Sequence, residues 1–511
     1  MSKRNKGTLL VAAAGSGKTT EIIRLVREKA KNLSPYKVLA VITYTNAATN
    51  EIKDRLEHHM DIPSNIFVGT IHSFLMKYLV QPYATATGEI EAEAKIIDYQ
   101  IQKIPKDRVK ASIRKKQVQF ALSKKGVLNY DYIATLSNKL LANKEIKERF
   151  SQRIESIFVD EFQDAVKSQF DIVETLRKGG RTDVVLVGDP EQSIMGFTNK
   201  KKNKNGISKV PIVTIQAKTT YNTERLEMNY RSTQKLVDFI NNFHSFIQQE
   251  KANEEITVDN EVLFISEIEK NQLISKFNEL CIDPEYCTIK PESKMFVAYE
   301  NKMYSGYCSS TQGKLGKNST AIEFVLDMLS QILSKHKYEL AGHLDLNDVD
   351  IRRKCLNLFK DLKAKPLSKV DDLVKKVEAE FDLTLKSLEI DDDAKPRFKK
   401  IFENFIKDIQ MFSGYHTTVS VNNLSGCNDT YLTIHKAKGL QADAVLAIAK
   451  NEKELLKWLE TDKEKRICAE DDCRLGYVAF SRAKYFLCIG CIEDISDSTK
   501  SKLAELGVVT V

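Results

Sequence analysis

Long apolar runs are missing from this 511-residue chain: no stretch approaches the ~18 consecutive apolar residues that a membrane-crossing helix requires. The opening residues, Met1-Ser2-Lys3-Arg4-Asn5-Lys6, run straight into a strand-like segment and leave no room for the apolar region of an export signal. The nine cysteines show no framework spacing, so they are predicted to be reduced thiols of a cytoplasmic protein rather than disulfides. No internal repeat is visible, and low complexity is confined to one lysine cluster. Bulk disorder is excluded by composition, with 42% hydrophobic and 29% charged residues. At roughly 100–200 residues per domain, the length implies about three or four domains or subdomains.

What is present begins with charge. Residues 101–150 hold 13 Lys or Arg against 4 Asp or Glu, a local +9 in a chain whose net charge is +8. A second cluster comprises Lys200, Lys201, Lys202, Lys204 and Lys209. Basic patches on an otherwise balanced chain suit either a polyanionic partner or a solvated helix face.

Short apolar runs at Leu9–Val11, Val38–Thr43, Ile66–Gly69, Ile157–Val159 and Val184–Val187 alternate with helix-like segments such as Thr20–Lys31. That alternation predicts an α/β fold, a parallel sheet covered by helices on both faces. Residues 76–150 carry no strand signal and read as a basic helical insertion. A second mixed region starts at 221, with strand candidates Glu261–Ile265, Met295–Ala298, Tyr431–Thr433, Ala444–Ile448 and Tyr485–Ile489. Residues 320–415 read as a second, charged helical insertion. The expected organisation is a first α/β domain in two pieces (1–75 and 151–220) around the insertion 76–150. A second α/β domain (221–319 and 416–511) surrounds the insertion 320–415.

The chemistry starts at Ala12-Ala13-Ala14-Gly15-Ser16-Gly17-Lys18-Thr19, which follows the first strand and opens a helix. This is the P-loop pattern with Ala at the first Gly position. Glycines let successive backbone N–H groups face phosphate oxygens, and the helix N-terminus adds partial positive charge. The nucleotide contacts are therefore placed on Ala14, Gly15, Ser16, Gly17, Lys18, Thr19 and Thr20. Lys18 can reach the β- and γ-phosphates, and the Thr19 hydroxyl can ligate Mg²⁺. Another buried strand ends in Asp160-Glu161-Phe162-Gln163-Asp164. A carboxylate at that strand edge can hold Mg²⁺, and its neighbour Glu161 can deprotonate the attacking water. Cys468, Cys473, Cys488 and Cys491 have loose metal-like spacing. Cys488 and Cys491, three apart in a strand candidate, would face opposite sides and so suit a core better than a metal.

Further blocks narrow the class. Asp160–Asp164 resembles the second helicase motif of the UvrD/Rep/PcrA group of superfamily 1. Thr43-Tyr44-Thr45-Asn46-Ala47-Ala48 and Gly69-Thr70-Ile71-His72-Ser73-Phe74 resemble motifs Ia and Ib. Gly188–Ile194 is similar to motif III, Asn229-Tyr230-Arg231-Ser232 to motif IV, Thr433–Leu440 to motif V and Tyr477–Lys484 to motif VI. The resemblance implies two RecA-like P-loop domains with parallel sheets, reduced helical insertions and Mg²⁺·ATP in the cleft between the domains. It makes Asp160 the Mg²⁺ ligand, Glu161 the base and Gln192 the γ-phosphate sensor. Arg231 and Arg482 become charge-stabilising arginines of the second domain, and Gln441 lies near the ribose. It runs a DNA strand past Tyr44, Thr45, Asn46, Thr70, His72, Phe197 and His435, and implies single-stranded or tailed duplex DNA as partner. For His72, a structural role is equally consistent with the residues.

The chain departs from that pattern. Residues 1–8 contain no Gln to read adenine, which implies use of other NTPs or dNTPs beside ATP. Met195 and Phe197 stand where motif III carries Tyr and Trp, and Gln441 stands where motif V carries Glu. In size and reduced insertions the chain also resembles the helicase-like subunit of Gabija-type antiphage defence systems, which works with a separate nuclease. Two functions are expected in turn. One is a 3′→5′ DNA helicase or translocase; the other is a DNA-activated nucleotide hydrolase that signals to a nuclease and unwinds little.

Overall fold

A computed structural model describes residues 6–97, 107–194, 211–216, 219–300, 303, 321–333, 340, 344, 346, 348–364, 370–381, 401–406, 428–468 and 472–511. It falls into two compact units, one of residues 1–303 and 423–511 and the other of residues 304–422.

The first unit opens with β1 (Gly7–Ala12), β2 (Val38–Thr43) and β3 (Ile66–Thr70). Two short strands, β4 (Lys95–Ile96) and β5 (Val127–Leu128), lie in the basic insertion. They are followed by β6 (Ile154–Val159), β7 (Asp183–Gly188) and β8 (Tyr221–Leu226). The first sheet has the order β3-β2-β6-β7-β1-β8, with every pairing parallel. All six residues of β2 are buried, as a strand covered on both faces requires. One face packs Leu9, Val11, Ile42 and Ile157 under the insertion's Leu136, Leu140 and Phe150. The other packs Leu10, Val41, Phe158 and Val187 against Ile22, Val26 and Ile52 of the helices Lys18–Ala30 and Asn46–Glu57.

A second all-parallel sheet completes this unit. After the short pair β9 (Met228–Asn229) and β10 (Glu250–Lys251) come β11 (Val262–Ser266), β12 (Ser293–Ala298), β13 (Asn428–Thr433), β14 (Ala442–Ala449), β15 (Ala483–Cys491) and β16 (Val508–Thr510). Their order is β13-β12-β14-β15-β11-β16. Its core holds Phe264, Val297, Val445, Leu487 and Trp458, and takes in Ala14 and Ile194 from the first domain. Two parallel α/β sheets in one body match the expected pair of RecA-like domains.

Two boundaries differ from expectation. The strand β8 pairs with β1, so the first sheet continues beyond the expected limit at 220. The segment 76–150 is not purely helical, because Lys95 pairs with Val127 and Ile96 with Leu128. Two-residue strands are too short to print a period-2 pattern in the sequence. Two of the cysteines behave as core: Cys488 and Cys491 are fully buried in β15, and burial pushes the Cys491 thiol up to about 12.

The second unit is helical where it is described, with helices Ala321–Ile332, Asp348–Ala364 and Val370–Phe381. Val325, Leu329, Cys355, Leu358, Val377 and Phe402 form its own core. Among the described residues no helix is long and apolar enough to cross a membrane.

Candidate functional site

The first site grows out of the turn after β1. Gly15 and Gly17 take left-handed φ angles of +79° and +76°, and Gly17 caps the helix Lys18–Ala30. A Cβ on Gly15 would lie 2.8 Å from Asn229 Oδ1 and 3.0 Å from Arg231 Cβ, so the loop conformation and its partner leave room only for glycine. The second domain's leading segment clamps this loop. Tyr230 N–H donates to Gly15 O at 2.9 Å, and Asn229 Nδ2 and Gln249 Nε2 both donate to Ala14 O, at 3.3 and 3.1 Å.

A cavity of about 640 Å³ opens over the loop. Ala14, Gly15, Ser16, Gly17, Lys18, Thr19, Thr20, Asp160, Glu161, Gln192, Arg231, Gln441 and Arg482 all line it. Every residue assigned from the sequence to nucleotide, Mg²⁺ or catalysis thus borders one space. Tyr230 and Lys438 carry contacts there that the sequence reading left without a role. Tyr230 is 55% exposed, and its ring lies beside Gly17, a flat surface suited to a base. Its signal was its place beside Arg231. Lys438, from the second domain, binds Asp164 at 2.5 Å and the Gln192 carbonyl at 2.9 Å, and lies 3.8 Å from Glu161.

The carboxylates divide their work through their surroundings. Burial, reinforced by the charge of Glu161, pushes Asp160 up to about 7 against the opposing pull of Lys18. Burial also acts upward on Glu161, but Lys18, Lys438 and a hydrogen bond from Gln163 outweigh it and hold that carboxyl below its ordinary value. Glu161 is the sole non-glycine residue with positive φ, at 48°, among the described residues. From this left-handed position Glu161 borders the cavity. An ionised carboxylate at neutral pH is what a general base requires.

Arg231 and Arg482 face the same cavity from the second domain. Arg231 donates to Ser481 O at 2.8 Å; Arg482 donates to Val478 O at 2.8 Å and Leu440 O at 3.1 Å. Burial and the like charge of Arg482 bring Arg231 down to about 9, and its Nε is buried without a hydrogen-bond partner among the described residues. Two buried guanidiniums that repel one another, beside a backbone N–H cradle, fit a polyphosphate. The partly protonated Asp160 with Thr19 fits a divalent cation. When bound, Mg²⁺ would supply further neutralisation of phosphate charge.

This sets a linkage with a definite sign. The Asp160 pKa is raised, so its protonation-linked stability is complete below about pH 4 and is lost as pH rises through about 7. A cation held by this carboxylate would have to displace that proton. Mg²⁺ affinity should therefore fall about tenfold per pH unit below about 7 and level off above it. In Asp160→Asn the pH dependence should vanish and the free chain should melt higher at pH 8. Calorimetric Mg²⁺ titrations with a non-hydrolysable nucleotide, and melting curves, measure both.

The DNA candidates lie apart from this cavity. Thr45 ends the turn after β2 and caps the helix Asn46–Glu57, accepting Ala48 N–H at 3.1 Å. Thr70, at the end of β3, accepts Ser73 N–H at 3.3 Å. His72 meets Tyr130 of the insertion edge-on at 4.9 Å, and burial lowers its pKa against the opposing charge of Asp131. Tyr130 is 48% exposed. On the second domain His435 lies 5.9 Å from Tyr299, itself 46% exposed. These positions follow the carboxyl ends of β2, β3, β12 and β13, the edge where open α/β sheets bind ligands. Tyr44 is partly buried against the first core, and burial followed by the charges of Asp164 and Asp160 raises its hydroxyl pKa. Phe197, the side chain of Asn46 and the Lys200–Lys209 cluster lie outside the described residues.

Comparison with known proteins agrees with this geometry. The family described as "AAA domain" matches residues 1–198, and the UvrD-like helicase C-terminal domain matches residues 310–494. The Gabija protein GajB of Bacillus cereus is 26% identical over 247 residues, 47% of each chain. The ATP-dependent DNA helicase Rep of Buchnera aphidicola is 24% identical over 319 residues, covering 52% of this chain and 47% of Rep. The ATP-dependent DNA helicase PcrA of Staphylococcus aureus is 30% identical over 290 residues, covering 47% of this chain and 38% of PcrA. The chain thus spans about half or less of the length of the curated relatives it matches. With an AAA domain and a UvrD-like helicase C-terminal domain matched in order, and their motif residues gathered around one cavity, the chain resembles the UvrD-like helicases in both of its α/β domains.

Proposed function

We propose that the chain is an ATP-dependent DNA helicase or translocase, of 3′→5′ polarity by its family. It hydrolyses Mg²⁺·ATP between its two α/β domains and is activated by single-stranded or tailed duplex DNA. The reading rests on one observation: Arg231 and Arg482 of the second domain face the P-loop, Asp160 and Glu161 of the first across a single cavity. Phosphoryl transfer is limited by charge on the transferring oxygens, and guanidiniums brought in by domain closure stabilise it. DNA that moves one domain against the other would then set the rate. Tyr44, Thr45, Asn46, Thr70, His72, Phe197 and His435 are the proposed strand contacts, and the cytoplasm is the proposed compartment. The exposed Tyr230 ring gives stacking without hydrogen-bond readout. Discrimination among ATP, GTP, CTP and dATP is therefore expected to be about tenfold or less.

A second reading has its own support. The chain resembles GajB, a Gabija protein, across 47% of its length. Its basic helix Arg108–Lys124 exposes Val109, Ile113 and Phe120. An apolar stripe among lysines suits a partner surface, which in this reading is a nuclease subunit in antiphage defence. Strand displacement of a tailed duplex, run beside DNA-stimulated phosphate release with each of the four nucleotides, decides between them. Displacement that scales with hydrolysis supports a helicase. Fast hydrolysis without displacement replaces it with the DNA-activated hydrolase, and no hydrolysis overturns both.

A further inference from the structure

Behind the nucleotide cavity, a fully buried polar cluster joins the two domains. At its centre is Asp189, at the end of β7, with no exposed surface. Its carboxylate accepts four hydrogen bonds. Oδ1 takes Glu191 N–H at 3.0 Å and His244 Nε2 at 3.1 Å; Oδ2 takes Gln192 Nε2 at 2.7 Å and the Tyr477 hydroxyl at 3.1 Å. His244 Nδ1 accepts the backbone N–H groups of Phe246 and Ile247, at 3.2 and 3.0 Å, so its ring proton sits on Nε2 and points at Asp189. Beside the cluster Glu191 pairs with Arg466 at 2.7 Å, both side chains buried.

Tyr477 is the member that reaches the phosphate loop. Its proton goes to Asp189, and its oxygen accepts Ala14 N–H at 3.0 Å. Ala14 and Asp189 belong to the first domain, whereas Tyr477 lies on the second domain's helix Asp472–Phe480. That helix runs into Arg482, whose N–H bonds Ala479 O at 3.3 Å and whose Nε bonds Val478 O. One rigid turn thus carries both an arginine that faces the cavity and a hydroxyl that touches the loop. Gln192, with its Nε2 tied to Asp189, has its remaining amide atoms for the cavity it lines.

We propose that Tyr477 is a positioning residue: its single hydroxyl makes the seating of the second domain on the phosphate loop the event that orients Gln192 toward the γ-phosphate. Removing the hydroxyl leaves Ala14 N–H buried without an acceptor and Asp189 short of one donor, which frees the carboxylate and Gln192 to rotate. The cost falls on the state in which the γ-phosphate is sensed rather than on nucleotide binding as such.

This relay rests on the nucleotide-site reading above, and the test separates the two. In Tyr477→Phe, DNA-stimulated kcat for ATP should fall about tenfold or more while KM changes less than about threefold. The affinity advantage of a non-hydrolysable ATP analogue over ADP should shrink. Phe239→Leu is the packing control, because Phe239 is buried in the same core against Phe243 and Phe480 and its side chain offers no hydrogen bond to the cluster. It should lower the melting temperature and keep both kcat and the nucleotide preference. A Tyr477→Phe protein with wild-type kcat and preference overturns the relay. So does an equal loss in both variants in proportion to their melting temperatures. A wild-type chain that binds neither nucleotide overturns the site reading, and the relay with it.

Discussion

Replacing Glu161 with Gln should leave nucleotide binding intact and slow hydrolysis at least about 10²-fold, the loss expected when a general base is removed. The substitution keeps size and hydrogen bonding and deletes only the charge. Gln163 could still donate to the amide oxygen, whereas Lys438 would lose an opposite charge 3.8 Å away. Asp160 would lose the repulsion that helps raise its pKa, so Mg²⁺ should bind at least as well and at slightly lower pH. Lys18→Ala should behave differently, weakening binding and hydrolysis together, because it acts on phosphate in the ground state and the transition state alike. Equilibrium binding of a fluorescent nucleotide beside single-turnover phosphate release separates the two. A Glu161→Gln chain that turns over at the wild-type rate would remove the base assignment.

Loss of either arginine should abolish most of the DNA-stimulated hydrolysis, by about 10³-fold or more, and leave DNA affinity nearly unchanged. Arg482→Ala is the sharper test. Its guanidinium donates to Val478 O, Leu440 O and Ser481 Oγ, so its removal also loosens the turn after Phe480. Arg482→Lys keeps a charge but cannot make that fork of bonds, and it should remain far below wild type. Arg231→Ala removes the guanidinium whose pKa burial and the charge of Arg482 lower, and leaves Arg482, which burial alone disfavours. Fluorescence anisotropy on single-stranded DNA, with steady-state hydrolysis across DNA concentrations, measures both effects. Parallel loss of DNA binding and hydrolysis would instead signal a misfolded second domain.

Legibility followed physical rules. Strands buried on both faces, such as those holding Val38–Ile42 and Ala444–Ile448, print unbroken apolar runs and were readable at once. Strand β8, on the sheet edge with Asn222, Thr223, Glu224 and Arg225 in its middle, has a burial pattern broken by solvent, so its pairing with β1 was not visible. Strands β4 and β5 were too short to carry a period. Tyr44 sits inside a recognisable block, yet its partial burial against the first core was not legible, because a motif specifies a residue's neighbours in the chain and not its packing.

The sequence by itself determined the chemistry on offer. It showed a glycine-bent phosphate loop, a strand-end carboxylate pair, two arginines in separate blocks and an alternation that demanded parallel sheets. Each of these is local, set by a few consecutive residues and their backbone preferences. Only the tertiary structure decided which of them meet. It placed Lys438 against Asp164 across 274 residues, His244 against Asp189 across 55 and Tyr477 against Asp189 across 288. It also set the protonation of Asp160 apart from that of Glu161. Burial and long-range charge are properties of a packed interior, and a buried polar group finds its partners in space without leaving a period along the chain.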